Sequence, residues 1–407
     1  MVQVMKGVRI LEVAQFTFVP VAAAILADWG ADVIKVEHPT RGDTQRGFIN
    51  LDRVPVDPQR NVMMAHPNRG KRSVGIDVSK PEGQELIYEL AKTADIFLTN
   101  YLPAQRQKLK IDLEHIRAAN PNIIYARGTA HGDKGPDRDK GGFDLPSFWA
   151  RGGAGMSVAP PELGGPLGMP APAFGDTIGG TNIALGMAAA LFHRAQTGEA
   201  LEFDVSLLGS GLWASGMGIG ISIETQSNPF VARMPGSGGA RGNPFVGMYK
   251  ASDGGYLSLN IMTPGRYLED TWIHLGIPEM MQDDRFNTAE TVMANWEEAS
   301  RRIAAAVATQ PMSYWMERLS TMAGQWAPYQ TFLQTGSDAQ ALANGFIVEV
   351  EAHGGPLKLV SSPVQFNHEP IAPGRYPDAG EHTEMVLMEN GLEWDKVEEL
   401  KAKGVIN

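Results

Sequence analysis

In the first third of the chain, short runs rich in Val, Ile and Leu alternate with stretches of helical character, and this alternation restricts the fold more than any other feature. The runs at 8–13, 33–36, 73–77, 96–98 and 123–126 read as strands, and those at 20–31, 81–94 and 113–119 as helices. Pro20 and Pro81 suit the first turn of a helix, where a missing N–H costs nothing. Strands that alternate with helices run in the same direction. The expected fold is therefore α/β, a Rossmann-like large domain whose mostly parallel sheet is covered on both faces, with a smaller α+β domain beside it. Ligands of such sheets bind beyond the carboxyl ends of the strands, which places Gln15, His38 and Asn100 near a candidate crevice.

The crevice does not read as a dinucleotide site. The first turn is Ala14-Gln15-Phe16-Thr17-Phe18-Val19-Pro20 and contains no G-x-G-x-x-G. Its aromatic side chains would keep a pyrophosphate off the helix backbone, and no P-loop follows elsewhere. Dehydrogenase and kinase readings fall on that ground. The chain has no cysteine, which removes disulfides, thiol nucleophiles and zinc–thiolate sites, and its nine histidines fall in no metal-binding spacing, so no metal is expected. A net charge of -11 argues against nucleic acid or an anionic membrane as partner, while leaving room for a small basic pocket. The apolar stretch 13–27 superficially resembles a secretory signal. Glu12 and Pro20 break it, no small-residue cleavage site follows, and it is too short to cross a bilayer, so a cytoplasmic enzyme is expected.

Beyond the alternating region, 132–182 is rich in Gly and Pro and reads as long loops over a site. A small-residue helix at 179–196, a strand at Glu202–Ser206 and a Gly-rich helix at 207–221 follow. From about 225 the character changes. A glycine-rich loop at 235–244 precedes a strand at Tyr256–Asn260 and helices at 266–275, Trp296–Val307 and 314–322. The last stretch offers strands at Ile347–Val350 and 358–360, then helices at 382–390 and 394–403. The expected domains are 1–224, the amino-terminal part of a large ligand-binding domain; 225–325, a small domain with the glycine loop; and 326–407, a return to the large domain.

Several residues invite chemistry. Asp176 stands just before an apolar helix in Phe174-Gly175-Asp176-Thr177-Ile178-Gly179-Gly180. There it serves either as a helix N-cap or, with flanking glycines leaving room for a substrate, as a nucleophilic carboxylate. Asp144, in Gly142-Phe143-Asp144-Leu145, fits a turn. The Gly236–Gly242 segment is a linker or a lid that excludes water. Lys71, Arg72, Arg106, Lys108 and Lys134 are individually ordinary surface cations. Together with Asn100 and Tyr101 they suit the phosphates and adenine of a nucleotide.

These pieces converge. The chain resembles the class III (CaiB/BaiF-type) CoA-transferases from near residue 6 to near residue 403. The resemblance is carried in order by Gly7-Val8-Arg9-Ile10-Leu11-Glu12, the segment from Leu26 to Glu37, Gly42-Asp43 with Arg46-Gly47, Asn68-Arg69-Gly70-Lys71-Arg72-Ser73, Asn100-Tyr101, Gly142-Phe143-Asp144, Gly175-Asp176, the glycine loop, and Gly380-Glu381-His382-Thr383. It implies that Asp176 attacks the donor thioester and carries the acyl group and then CoA, with Gly238 and Gly239 in the lid. Asp144 matches a position where some members place a glutamate beside the nucleophile. Gln15, Phe16, His38, Lys71, Arg72, Asn100, Tyr101, Arg106 and Lys108 fall at or near positions that contact CoA. The resemblance further implies an interlocked homodimer, coenzyme A and acyl-CoA as substrates beside a carboxylic acid, and no permanently bound cofactor.

Two other readings share these features. An α-methylacyl-CoA racemase needs two acid–base groups flanking a carbon, and members of that kind place a histidine where Phe143 stands, although His131 lies nearby. A non-catalytic acyl-CoA-binding protein would need neither aspartate. The string from Gly142 to Gly153 is most similar to transferases acting on 2-hydroxy or aryl-propanoid acids, and Phe143, Phe148 and Trp149 either line an acyl pocket or fill the core.

Overall fold

The computed structural model describes residues 2–51, 54–230, 232, 234, 238–240 and 242–407. Two compact units emerge, one made of Met1–Val158, Pro166–Phe230 and Ala339–Asn407, the other of Ala159–Gly165 and Val231–Asp338.

The larger unit is built on a parallel sheet. Along the chain come β1 (Arg9–Val13), α1 (Phe18–Asp28), β2 (Asp32–Glu37), β3 (Arg72–Gly75), α2 (Pro81–Lys92), β4 (Ile96–Thr99), β5 (Ile124–Thr129), α3 (Phe174–Thr197) and β6 (Glu202–Ser206). The six strands lie in the order β3-β2-β1-β4-β5-β6 and every pairing is parallel. Side chains alternate between two cores, as the pleat requires. Ile10, Val33, Ile96, Leu98, Ile124 and Ala126 face α1 and α3, whereas Leu11, Ile34, Phe97 and Tyr125 face α2 and the carboxyl-terminal helices Thr383–Glu389 and Trp394–Ala402. Both faces are covered, which is why these strands read as nearly continuous apolar runs.

The neighbouring strands β1 and β2 carry charge into this core. Glu12 on β1 is fully buried and holds two ammonium groups. Lys35 Nζ lies 2.9 Å from Glu12 Oε1 and 2.8 Å from Asp43 Oδ2; Lys71 Nζ lies 2.6 Å from Glu12 Oε2. The carbonyls of Ala14 and Pro20 and the amide oxygen of Asn68 complete the set. Burial without such pairing would neutralise these groups.

Glycines shape the packing of α3. A Cβ on Gly180 would sit 2.0 Å from Val21 Cγ1 and one on Gly179 2.5 Å from Phe18 Cε2, so α1 and α3 touch backbone to side chain. The helix expected from 179 begins five residues earlier, at Phe174. Its start falls inside the 132–182 stretch expected to be loops, which also holds a π-helical turn at Leu145–Ala150. Both prolines fall in the first turn, as expected, Pro81 as the first residue of α2 and Pro20 as the third of α1. The expected helix at 207–221 is two, α4 (Leu207–Ala214) and α5 (Gly216–Thr225), parted at Ser215.

The smaller unit holds the antiparallel strands β7 (Gly238–Ala240), β8 (Asn243–Lys250), β9 (Tyr256–Asn260) and β10 (Trp326–Pro328), with helices such as α6 (Pro264–His274) and α7 (Trp296–Val307). Its own core includes Phe245, Tyr249, Trp272, Phe286, Ile303 and Trp315. The expected glycine loop is partly strand: Gly239 pairs with Gly247 and Gly238 with Met248. Gly236, Ser237 and Arg241 lie outside the described residues.

Candidate active site

The chain reverses its direction of winding between β1 and β4. β2 and β3 extend one way from β1, while β4, β5 and β6 extend the other. A crevice opens at such a switch point, beyond the carboxyl ends of the two central strands. Asn100, just past β4, bridges it. Its Oδ1 accepts from the Gln15 N–H at 3.1 Å and its Nδ2 donates to the Gln15 carbonyl at 2.7 Å. The Gln15 side chain is held at both ends, donating to Tyr101 Oη at 2.8 Å and accepting from the Thr44 hydroxyl at 2.8 Å. Asn100 and Tyr101 are thus engaged in fixing the turn after β1.

A cavity of about 510 Å³ lies there. Gln15, Phe16 and Phe18 line it from β1, Asn100 to Pro103 with Gln105 and Arg106 from β4, and Gly128 to Ala130 with Arg138, Lys140 and Gly142–Phe143 from β5 and its loop; Asp176 and Leu207 complete the wall. Its size suits a small-molecule site.

Asp176 is the third residue of α3, so it is not the N-cap. That place belongs to Ala173, at φ 57° and without a side-chain bond. The capping carboxylate comes from another segment. Asp144 accepts from the Leu145 N–H at 2.9 Å through Oδ1 and from the Gly175 N–H at 3.2 Å through Oδ2. Gly175 is required for this approach, since a Cβ there would meet Phe148 Cγ at 2.7 Å and Asp144 Cβ at 2.8 Å. The glycines around Asp176 therefore seat packed protein, not substrate. Asp176 itself has no hydrogen-bond donor among the described residues. Burial, and then the negative charge of Asp144, push its pKa up to about 7, against the helix dipole that favours its ionised form.

The other expected contacts divide. Gln15, Phe16, Asn100, Tyr101 and Arg106 line the cavity; His38, Lys71, Arg72, Lys108 and Lys134 do not. Lys71 is sealed against Glu12, and burial lowers its pKa to about 8. Arg72 is forked between Asp32 (2.7 Å) and Glu389 (2.6 Å). His38 Nδ1 accepts from the Thr40 N–H at 3.2 Å, while Lys108 and Lys134 are exposed elsewhere. Arg106 donates to the Tyr101 carbonyl at 2.8 Å. Phe143 reaches the cavity and is 59% exposed, whereas Phe148 and Trp149, at 2% and 7%, belong to the core with Phe174. His131 is not in the lining; its Nδ1 lies 3.4 Å from Arg151 Nη1.

Arg138 and Lys140 are lining residues that the sequence reading passes over. The strand-end rule, applied after β5 as it was after β1 and β4, would have found their loop. Among the described residues, His353, Asp378 and Glu381 are the one trio spaced to hold a metal ion. It is exposed, and the Arg375 guanidinium already donates to Glu381 and contacts His353 Nε2 at 2.7 Å. A cation would meet positive charge there. No described helix is long and apolar enough to cross a membrane.

Known proteins agree with this architecture. A family profile described as CoA-transferase family III matches residues 5–383. The (R)-2-hydroxy-4-methylpentanoate CoA-transferase of Clostridioides difficile is 31% identical over 406 residues, covering 99% of each chain. The cinnamoyl-CoA:phenyllactate CoA-transferase of Clostridium sporogenes is 28% identical over 405 residues, covering 97% of this chain and 95% of its own. The crystal structure of a CAIB/BAIF family protein from Brucella suis superposes with a TM-score of 0.80 at 24% identity, covering 96% of this chain and 100% of the other, and so shares its fold.

Proposed function

The chain belongs to the CoA-transferase family III, and from that premise we propose that it moves coenzyme A from an acyl-CoA thioester to a carboxylic acid through covalent adducts on Asp176. The observation that carries this reading is a carboxylate at the cavity wall, without a hydrogen-bond donor among the described residues and with its pKa pushed up to about 7. Such a group is more basic, and so more nucleophilic, than an ordinary aspartate, yet still half ionised near neutral pH.

The steps balance. An Asp176 oxygen attacks the thioester carbonyl, the C–S bond breaks, and CoA leaves as a thiolate from a mixed anhydride. The thiolate attacks the Asp176 carbonyl and expels the donor acid as its carboxylate. The acceptor carboxylate attacks this aspartyl thioester, forming a second anhydride and releasing the thiolate again. Attack of the thiolate on the acceptor's acyl carbon yields the new acyl-CoA and restores Asp176 with one oxygen from the acceptor. Each intermediate keeps the transfer potential that water would destroy. Gly238 and Gly239, for which the resemblance implies a lid, lie in strand β7 of the smaller unit.

Arg106, Arg138 and Lys140 in the lining support a phosphate-bearing ligand, and Gln15, Asn100 and Tyr101 keep the turn beneath it in shape. His38, Lys71, Arg72 and Lys108 are not carried into the site. Asp144 serves as a positioning residue through Gly175. The printed activities of the relatives support 2-hydroxy or aryl acids as substrates. Leu185, Phe192, Trp213, Met217 and Ile223, exposed along α3, α4 and α5, support association with a second copy of the chain. Phe143, in place of a histidine, and a described lining without histidine count against the racemase.

One mixture tests the reading: an acyl-CoA, two unlabelled acids and deuterated water. CoA appearing on the second acid is expected. Deuterium entering beside the thioester without transfer would mean a racemase, and neither event would mean a binding protein.

A further inference from the structure

Phe16 is the lining residue whose backbone is least at ease. Its φ is 65°, in the left-handed region where a Cβ crowds the neighbouring carbonyl and glycine is the favoured residue. Hydrogen bonds from both sides impose the conformation. Asn100 grips both backbone groups of Gln15, and the Phe16 N–H donates to Asp43 Oδ1 at 3.1 Å. Asp43 is fixed in turn by Lys35 at 2.8 Å and by its own N–H on Glu37 Oε2 at 2.7 Å.

The strained conformer sets the Phe16 ring on the cavity wall. The ring meets Phe143 edge to face, with centroids 5.5 Å apart and planes at 90°, and Phe48 at 6.1 Å. Phe143 is mostly exposed and fills no core. Two apolar rings are thus maintained against backbone strain and water, in the cavity into which Asp176 opens. Strain held by surrounding structure at a site is a mark of function, and exposed apolar surface a mark of a ligand. Arg106, Arg138 and Lys140 are the cations of the described lining, and the phosphates claim them above, which leaves no further lining cation among the described residues for a second carboxylate.

We propose that the Phe16–Phe143 pair is the surface on which the acyl group is selected, favouring acids with a flat or branched apolar group over one-carbon, two-carbon or dicarboxylic acids. The proposal rests on the transfer reading above and adds its specificity device.

Two donors, 3-phenylpropanoyl-CoA and acetyl-CoA, are compared with one acceptor acid in wild type, Phe16→Gly and Phe143→Ala. In each variant the aryl-to-acetyl ratio of kcat/KM is expected to fall about tenfold or more, mainly through KM, as loss of apolar pocket contacts does. Phe16→Gly is expected to keep or raise the melting temperature, because glycine adopts this φ freely. Phe143→Ala removes a mostly exposed ring and keeps the fold testable. Parallel loss with both donors, leaving the ratio unchanged, overturns the proposal. Binding of the two thioesters to Asp176→Asn, with and without Phe16→Gly, separates it from the transfer reading. An aryl preference that Phe16→Gly removes there supports the wall even without turnover, and equal affinities in both proteins refute it.

Discussion

Two places in the larger unit bury carboxylates, and they treat them in opposite ways. Beneath the sheet ends, Glu12 is sealed between the ammonium groups of Lys35 and Lys71, with backbone carbonyls and Asn68 taking the remaining donors. At the cavity, Asp144 receives two backbone N–H groups while Asp176, beside it, receives none from the described residues. The first arrangement compensates every charge and yields a rigid platform for the turn at Gln15. The second leaves one carboxylate without compensation and raises its affinity for a proton. Compensated charge serves the fold here, and uncompensated charge serves the chemistry.

The largest effect that would break this contrast is in Asp176→Asn, for which CoA transfer is expected to fall below detection while acyl-CoA still binds by calorimetry. The same variant should be more stable than wild type, with a definite pH dependence. Because the folded state holds the Asp176 proton up to about pH 7, wild type is penalised progressively as pH rises above 3.8, and fully above 7. The melting-temperature gain of Asp176→Asn should be absent near pH 4 and complete at pH 8; a gain at acid pH alone would reverse the sign and contradict the burial argument.

Next in size is Glu12→Gln, which leaves two buried ammonium groups short of a counter-charge. A loss of about 3–5 kcal/mol in urea unfolding is expected, as when one partner of a buried ion pair is removed. A loss near zero would mean that the cluster is not carrying the platform.

A smaller effect sharpens the contrast at the carboxylate pair. Asp144→Asn removes the lesser cause of the raised Asp176 pKa, so the acid limb of the kcat/KM profile should move to lower pH, by less than about one unit. An unmoved limb would show that the two carboxylates do not sense each other. The smallest expected change concerns the other unit. Gly238→Pro, in the edge strand β7, should slow transfer or raise acyl-CoA hydrolysis a few-fold. Unchanged rates for both would remove the lid from the account.

The parallel sheet was legible because strands covered on both faces carry unbroken apolar runs, as at Ile96–Thr99. What failed had a common cause: a glycine says little about whether it breaks a helix or lets another element approach. Gly175, in the stretch expected to be loops, lies inside α3 and lets Phe148 close on it, while Gly179 and Gly180, within the expected helix, admit Phe18 and Val21. Gly242, Pro244 and Gly247 likewise hid the strand Asn243–Lys250. Lys71 resembled an available cation because its partner, Glu12, lies 59 residues away in sequence and meets it only in the fold. Asp176 was identified through the ordered resemblance. Its distinction from Asp144 needed three dimensions, since Asp176 suited a cap and Asp144 a turn, whereas Asp144 is the residue that accepts the Gly175 N–H.

Oxygen transfer tests the central claim most directly. Wild-type enzyme is turned over with an acceptor acid carrying oxygen-18 in its carboxylate, digested, and the peptide containing Asp176 weighed. Label in that side chain is the expected result, because each cycle leaves one acceptor oxygen on the carboxylate. Many turnovers with label confined to the donor and acceptor pools, and none on Asp176, would contradict the account.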